Sequence, residues 1–288
     1  MYAWVAIMWG ASFAFLVPVV NSLNWAATVT FRAFLASAIV YAIAKGTKRE
    51  LVFGKNWTNL AVLGLTSVAM NLSGLNFALD RIGTQLAAIL VTTIPLFGVL
   101  FESIWLRALP TKTKLFGLII GFVGVVILIG LSPQAMDKEF LLGFTGSIIG
   151  ATGFAIGGVY SKARASHIGS WEQTIGTFLF GGLWTLPLLL FVPIFKTPTF
   201  GDILCLIAVA ATGSALAYIL YFKLVAEVGA STALSTEFLV PVVAVILGYF
   251  LFSEKLTSNQ IVGSIIIMIG CALVMELNPF NKSKSITG

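Results

Sequence analysis

Charge is scarce in this chain. Only 17 Lys and Arg and 11 Asp and Glu occur among 288 residues, which is too little polar surface for a water-soluble globule. There is one histidine, His167, in an expected loop, with no H-E-x-x-H pattern and no close Asp pair. Metal-assisted hydrolysis and metal-dependent prenyl or phosphoryl transfer therefore lack a ligand set, and neither an enzyme nor a cofactor site is expected. The two cysteines, Cys205 and Cys271, lie in apolar stretches where each serves as a small hydrophobe, so no disulfide framework is implied. Long polar segments are missing as well. The longest loop runs from about Lys45 to Asn56, too short for a nucleotide-hydrolysing module. The glycines Gly117 and Gly121, and Gly146, Gly150, Gly153, Gly157 and Gly158, follow no strand and suit close helix contacts better than a phosphate loop.

What is abundant is apolar surface: 58% of residues are hydrophobic and the mean hydropathy is +1.01. A hydrocarbon core about 30 Å thick takes about 20 apolar residues per helix. Ten such windows fit, at 2–20, 26–44, 57–78, 85–105, 113–130, 141–162, 172–192, 202–224, 232–252 and 258–277. The first has no basic n-region and no small-residue cleavage site, and it carries Trp4, Trp9, Phe13 and Phe15, so a retained helix is expected rather than a signal peptide. The third is the most polar, with Asn59, Thr66, Ser67, Asn71, Ser73 and Asn76.

Loop Lys and Arg residues set the expected orientation. With the N-terminus cytoplasmic, the inner loops and tail hold twelve: Lys45, Lys48, Arg49, Lys55, Arg107, Lys112, Lys114, Lys162, Arg164, Lys223, Lys282 and Lys284. The outer loops hold four, Arg81, Lys138, Lys196 and Lys255. Both termini are expected in the cytoplasm, and the basic balance needs no nucleic acid to account for it.

Shifting the chain by 146 residues superposes Gly83 on Gly229, Ala87 on Ala233, Pro95 on Pro241, Val99 on Val245, Thr111 on Thr257, Gly117 on Gly263 and Gly124 on Gly270. Matched glycines and prolines constrain backbone geometry, not just apolarity. A five-helix unit enters the membrane from the opposite side the second time, so the expected fold is all-α integral membrane, with ten transmembrane helices as two inverted five-helix repeats. The repeats occupy 1–130 and 141–277, and 278–288 is a cytoplasmic tail.

Several motifs, in this order, resemble the EamA-type branch of the drug/metabolite transporter superfamily. They are Trp9-Gly10-Ala11-Ser12-Phe13, Phe31-Arg32, the Ala-rich stretches Gly83 to Pro95 and Gly229 to Pro241, and Glu254-Lys255-Leu256-Thr257 followed by Gly263. The first half departs from the family pattern at Ala108, where an acidic residue is usual. The resemblance implies a central cavity lined by helices one to four and six to nine, with helices five and ten peripheral. It also implies export or exchange of amino acids, their derivatives, nucleobases or other metabolites from a bacterial cytoplasmic membrane, by a monomer or weak dimer. A channel, a uniporter without ion coupling and an intramembrane enzyme are the rival classes.

Within that frame Arg32 and Glu237 are the charges to weigh. A charged side chain inside a membrane helix costs about 2.5–3.5 kcal/mol on insertion scales, so Arg32 either faces a cavity or snorkels from about 9 Å below its helix end. Glu237, one turn before Pro241, can hold a substrate amine or a coupling proton, and Phe238 beside it is also an expected binding residue. Their depths leave roughly 12 Å between them along the membrane normal, so they are not expected to pair and either grip opposite ends of one cargo or act in different conformations. Glu102, beside Arg107, is expected to snorkel. Asn71 and Asn76 suit a polar ligand or interhelical hydrogen bonding. Trp9, Phe13, Phe154, Tyr218 and Tyr221 suit an aromatic cavity wall or ordinary packing. Pro95 and Pro241 are expected mid-helix hinges. The expected partners are a small-molecule substrate and the lipid bilayer, with proton coupling through Glu237.

Overall fold

The computed structural model describes residues 1–107, 109–129, 137–194, 196–252 and 257–274. Ala108, the Glu254-Lys255-Leu256 motif and the tail 278–288 lie outside the described residues. Among the described residues there is no strand, and the chain is an all-α membrane protein. We number the helices α1 (Tyr2–Leu23), α2 (Trp25–Gly46), α3 (Trp57–Gly83), α4 (84–106), α5 (Lys112–Ile129), α6 (Lys138–Arg164), α7 (Ser170–Leu190), α8 (Phe200–Val228), α9 (230–252) and α10 (Ser258–Val274). Among the described residues six are long and apolar enough to cross a membrane by length and composition: α1, α2, α3, α6, α7 and α8. Ile94–Trp105 in α4, Ala230–Val243 in α9 and α10 itself are shorter apolar helices.

The joints between helices are tighter than hydropathy suggests. α1 and α2 run on past their expected ends and meet at a single residue, Asn24, at φ 89° and ψ 171°. That backbone is strained for a residue with a Cβ. It is held because the buried Asn24 amide is satisfied on both sides: Oδ1 accepts from Ala27 N at 2.8 Å and Nδ2 donates to Pro193 O at 2.7 Å. Gly83 (φ 73°, ψ 170°) and Gly229 (φ 90°, ψ 165°) adopt nearly the same backbone at the α3–α4 and α8–α9 joints, where the lack of a Cβ makes it inexpensive. The helix starts are capped by the residues the chain places there. Asp137 accepts from Phe140 N, and Thr199 and Asp202 form a reciprocal capping box.

Two further features recur at the 146-residue spacing. α3 contains a π-helical turn at Gly64–Met70 and α8 one at Ala210–Leu216. In each a threonine hydroxyl donates back one turn, Thr66 to Val62 O at 2.8 Å and Thr212 to Ala208 O at 2.7 Å. Such back-bonding bends a helix and accompanies the local widening. The second feature is the glycine seam between α5 and α10. A Cβ on Gly117 would lie 2.8 Å from Val274 N, and one on Gly263 would lie 2.5 Å from Leu128 N. Likewise a Cβ on Gly124 would meet Ile267 N at 2.8 Å, and one on Gly270 would meet Gly121 N at 2.5 Å. Adding 146 to one member of each contact and subtracting it from the other exchanges the first contact with the second and the third with the fourth. Small residues let the two backbones approach closely, which replaces the missing hydrophobic drive between helices in lipid.

α4 and α9 are each interrupted just before a proline: α4 at 92–93, ahead of Pro95, and α9 by the 3-10 turn Ser235–Phe238, ahead of Pro241. Proline has no N–H for the carbonyl four residues earlier and its ring crowds that carbonyl. Those carbonyls belong to Val91 and Glu237, themselves 146 residues apart.

Candidate functional site

The interruptions in α4 and α9 turn Val91 and Glu237 toward the middle of the bundle, where both line one cavity. The remaining wall comes from Trp9, Ser12, Phe13 and Leu16 of α1, Arg32 of α2, Asn71, Leu72 and Leu75 of α3, Ile94 of α4, Phe154 of α6 and Tyr218 of α8. Its volume is about 40 Å³. One water needs about 10–15 Å³ by this measure, so the chamber admits a few waters and no metabolite as it stands.

Two charges face this space and neither has an opposite charge beside it. Arg32 is 3% exposed; its Nε donates to Ser214 Oγ at 2.6 Å and its Nη2 to Gly213 O at 3.3 Å. Both acceptors are neutral and both sit in the π turn of α8. A guanidinium has five donors in a fixed fork, so most of its hydrogen-bonding capacity is left for a ligand. The Glu237 carboxylate, 7% exposed, makes no hydrogen bond or ion pair among the described residues. The ion pairs there are Arg81–Asp80, Arg81–Glu139 and Lys114–Glu102, all away from the cavity. A buried unpaired charge is costly, so such a group either becomes neutral by taking up a proton, as a carboxyl can, or is matched by a ligand of opposite charge.

The same cavity has an aromatic wall. Trp9 meets the Phe154 ring edge-on at 5.6 Å and the Tyr218 ring at 5.9 Å, and Phe178 of α7 backs Tyr218 at 4.7 Å. Tyr218 is fixed by its hydroxyl, which donates to Ser67 O at 3.0 Å. Ser67 lies in the π turn of α3.

Seven of the expected binding residues line the cavity: Trp9, Phe13, Arg32, Asn71, Phe154, Tyr218 and Glu237. Asn71 Nδ2 also donates to Gly150 O at 3.2 Å, so its amide ties α3 to α6 as well. Asn76 and Phe238 do not line it. Asn76 is fully buried with neither amide atom hydrogen-bonded among the described residues, and Phe238 packs over Gly121 in the apolar cluster between α5 and α10. Tyr221 stacks on Phe154 behind the wall, at 5.0 Å. Pro95 and Pro241 stand behind the interruptions rather than at the cavity surface. Glu102 does not snorkel beside Arg107. It accepts a hydrogen bond from Ser231 and pairs with Lys114 at 3.6 Å, joining the ends of α4, α5 and α9. Tyr2 adds a second tie at this end of the bundle, its hydroxyl 2.7 Å from Ser235 Oγ.

The residues not foreseen are mostly apolar, Leu16, Leu72, Leu75, Val91 and Ile94, and nothing in their side-chain chemistry distinguishes them from lipid-facing neighbours. Val91 was accessible through the repeat, because it is the counterpart of Glu237.

A helical bundle with opened helices meeting at a charged and aromatic central chamber defines a polytopic membrane transporter. The EamA-like transporter family matches residues 1–130 and 141–276, and the chain belongs to that family. Protein PecM of Dickeya dadantii is 28% identical over 287 residues, 95% of each chain. An uncharacterized transporter of Clostridium kluyveri is 28% identical over 238 residues, 80% of this chain and 76% of that one. A WAT1-related chloroplastic protein of Arabidopsis thaliana is 25% identical, covering 92% of this chain and 66% of the relative. A solved crystal structure with 16% identity aligns over 96% of each chain at a TM-score of 0.79, and so has the same fold.

Proposed function

We propose that this membrane transporter is a secondary carrier, an exporter or exchanger, of small zwitterionic or amphipathic metabolites of the amino-acid kind. It works by alternating access around the central chamber. The observation that carries the proposal is the pair of buried ionisable groups, Arg32 and Glu237, lining one cavity with Trp9, Phe154 and Tyr218 and making no ion pair among the described residues. Arg32 takes the cargo carboxylate in its free guanidinium edge, Glu237 takes the amine, and Trp9, Phe154 and Tyr218 receive the apolar part.

Alternating access is supported by the contracted chamber, which must open to admit any cargo, and by the distortions that recur at 146 residues. These are the proposed flexing points of two inverted five-helix halves, 1–130 and 141–277, making ten crossings with both termini in the cytoplasm of a bacterial cell. Glu237 is the proposed coupling site, holding a proton when no amine is bound.

The test is counterflow in proteoliposomes containing the purified chain. Saturable uptake of labelled amino acid driven by the same compound inside, lost in Arg32→Ala, is the expected result. A folded protein that shows no counterflow with any amino acid, amine or nucleobase removes the proposal; non-saturable flux makes the protein a channel.

A further inference from the structure

A second open site lies at the end of α2, and none of its lining residues lines the central chamber. α2 stops in a C-cap turn in which Lys48 N donates to Lys45 O at 3.1 Å and Arg49 N to Ala44 O at 2.8 Å, with Lys48 left-handed at φ 53°. The turn sends the chain back past its own helix. The returning segment is pinned to α7 at two points: the Arg49 guanidinium stacks 5.0 Å over the Trp171 ring, and Val52 N donates to Glu172 Oε1 at 3.2 Å. The result is a cleft of about 590 Å³ lined by residues 41, 45 and 48–53.

Its charges are Lys45, Lys48 and Arg49, with one acid, Glu50, and none of the four makes an ion pair among the described residues. At this end of the bundle Lys114 pairs with Glu102 and Lys162 donates to Ala226 O, while Lys55, Lys112 and Lys223 make no ion pair among the described residues and do not line the cleft. A loop that carries positive charge only to set orientation has no need of a concave wall. This one has a wall, and its apolar part is exposed. Tyr41, 47% exposed, lies one turn below Lys45, whose Nζ is 5.7 Å from its ring; Val52 is 71% exposed. Trp57, the first residue of α3, stacks on Phe53 at 5.2 Å, and tryptophan at a helix end is the ordinary aromatic of a membrane interface.

We infer that this cleft binds the phosphodiester headgroup of an anionic phospholipid. Lys45, Lys48 and Arg49 contact the phosphate and the acyl chains run down beside Tyr41. Basic pockets at the membrane surface recognise lipid phosphate by charge and hydrogen bonding, and the planar donors of Arg49 add geometry to that charge. The site is independent of the transport function proposed above.

Native mass spectrometry of the delipidated full chain, titrated with phosphatidylglycerol or phosphatidylcholine, tests it. Phosphatidylglycerol is expected to bind at least about tenfold tighter than phosphatidylcholine, and the triple variant Lys45→Gln/Lys48→Gln/Arg49→Gln to lose that preference. A control variant that removes as many charges elsewhere, Lys55→Gln/Arg164→Gln/Lys223→Gln, is expected to keep it. Single Lys45→Gln and Lys48→Gln variants, each expected to weaken the preference severalfold, serve if the triple variant does not fold. Equal affinity for the two lipids, or equal loss in the control, overturns the site. Competition by millimolar inorganic phosphate makes it a soluble-anion site and overturns the lipid assignment.

Discussion

The hydroxyl of Tyr218 donates to the carbonyl of Ser67 across 3.0 Å, linking the cavity wall of α8 to the π turn of α3. Adding 146 to Ser67 gives Gly213, whose carbonyl accepts from Arg32 Nη2 at 3.3 Å. Equivalent carbonyls in the two π turns are thus taken by non-equivalent cavity side chains, each from the opposite half of the chain. A π turn breaks the regular i to i−4 pattern and leaves a carbonyl available for such a bond. The same widening that bends the helix supplies the acceptor that orients the cavity residue, so movement of either π turn shifts a group that lines the chamber.

Tyr218→Phe deletes the first of these bonds and leaves the Ser67 carbonyl without that donor. A loss of about 0.5–2 kcal/mol is expected, read as a lower Tm and as faster amide exchange in 64–70. Unchanged exchange there disproves the tie between the wall and the turn.

Arg32→Lys keeps the charge but loses the fork that reaches Ser214 while facing the cavity. Transport is expected to fall at least about tenfold with expression near wild type, and Arg32→Ala to fall further. Wild-type transport by a folded Arg32→Ala protein removes Arg32 from the site.

Glu237→Gln is isosteric and cannot release a proton. The expected phenotype is uptake that no longer responds to a pH gradient, with exchange of bound cargo retained. Persistence of the pH response in the variant assigns coupling to another group.

Gly270→Leu places a branched side chain against Gly121 and the Gly117 carbonyl, where even a Cβ approaches to 2.5–2.8 Å. The α5–α10 seam must separate, at a cost of about 1–3 kcal/mol or more in thermal unfolding. Cargo affinity is expected to change little, because neither helix lines the chamber.

Glu102→Gln weakens the junction of α4, α5 and α9 by removing the pairing with Lys114. A Ser12→Cys reporter in the cavity is then expected to react faster with thiol reagents supplied at that end of the bundle, on a protein background whose own cysteines have been replaced by alanine. No change in labelling rate means the junction does not restrict access.

Much of the molecule was legible before folding because a bilayer imposes strong one-dimensional rules. Runs of about 20 apolar residues mark helices, and the 146-residue shift picked out Gly83 with Gly229 and Pro95 with Pro241 from composition-biased sequence. Both glycines stand at joints and both prolines follow helix interruptions. The cavity charges were legible for a related reason: an ionisable group within an apolar helix is expensive, so Arg32 and Glu237 stood out. Leu72 and Ile94 gave no such signal, because an apolar side chain costs nothing against lipid or against a chamber.

By itself the amino-acid sequence determined that the chain is a helical membrane protein with a repeated pattern and two charges that need a partner, since hydrophobicity and the cost of buried charge act along the chain. Tertiary structure alone decided that Asn76 and Phe238 lie away from the chamber, that Glu102 ties three helix ends, and that Arg32 and Tyr218 grip the π turns of opposite halves. Those outcomes depend on helix rotation and on which carbonyl a bent turn leaves free, and both are set by packing between segments more than a hundred residues apart.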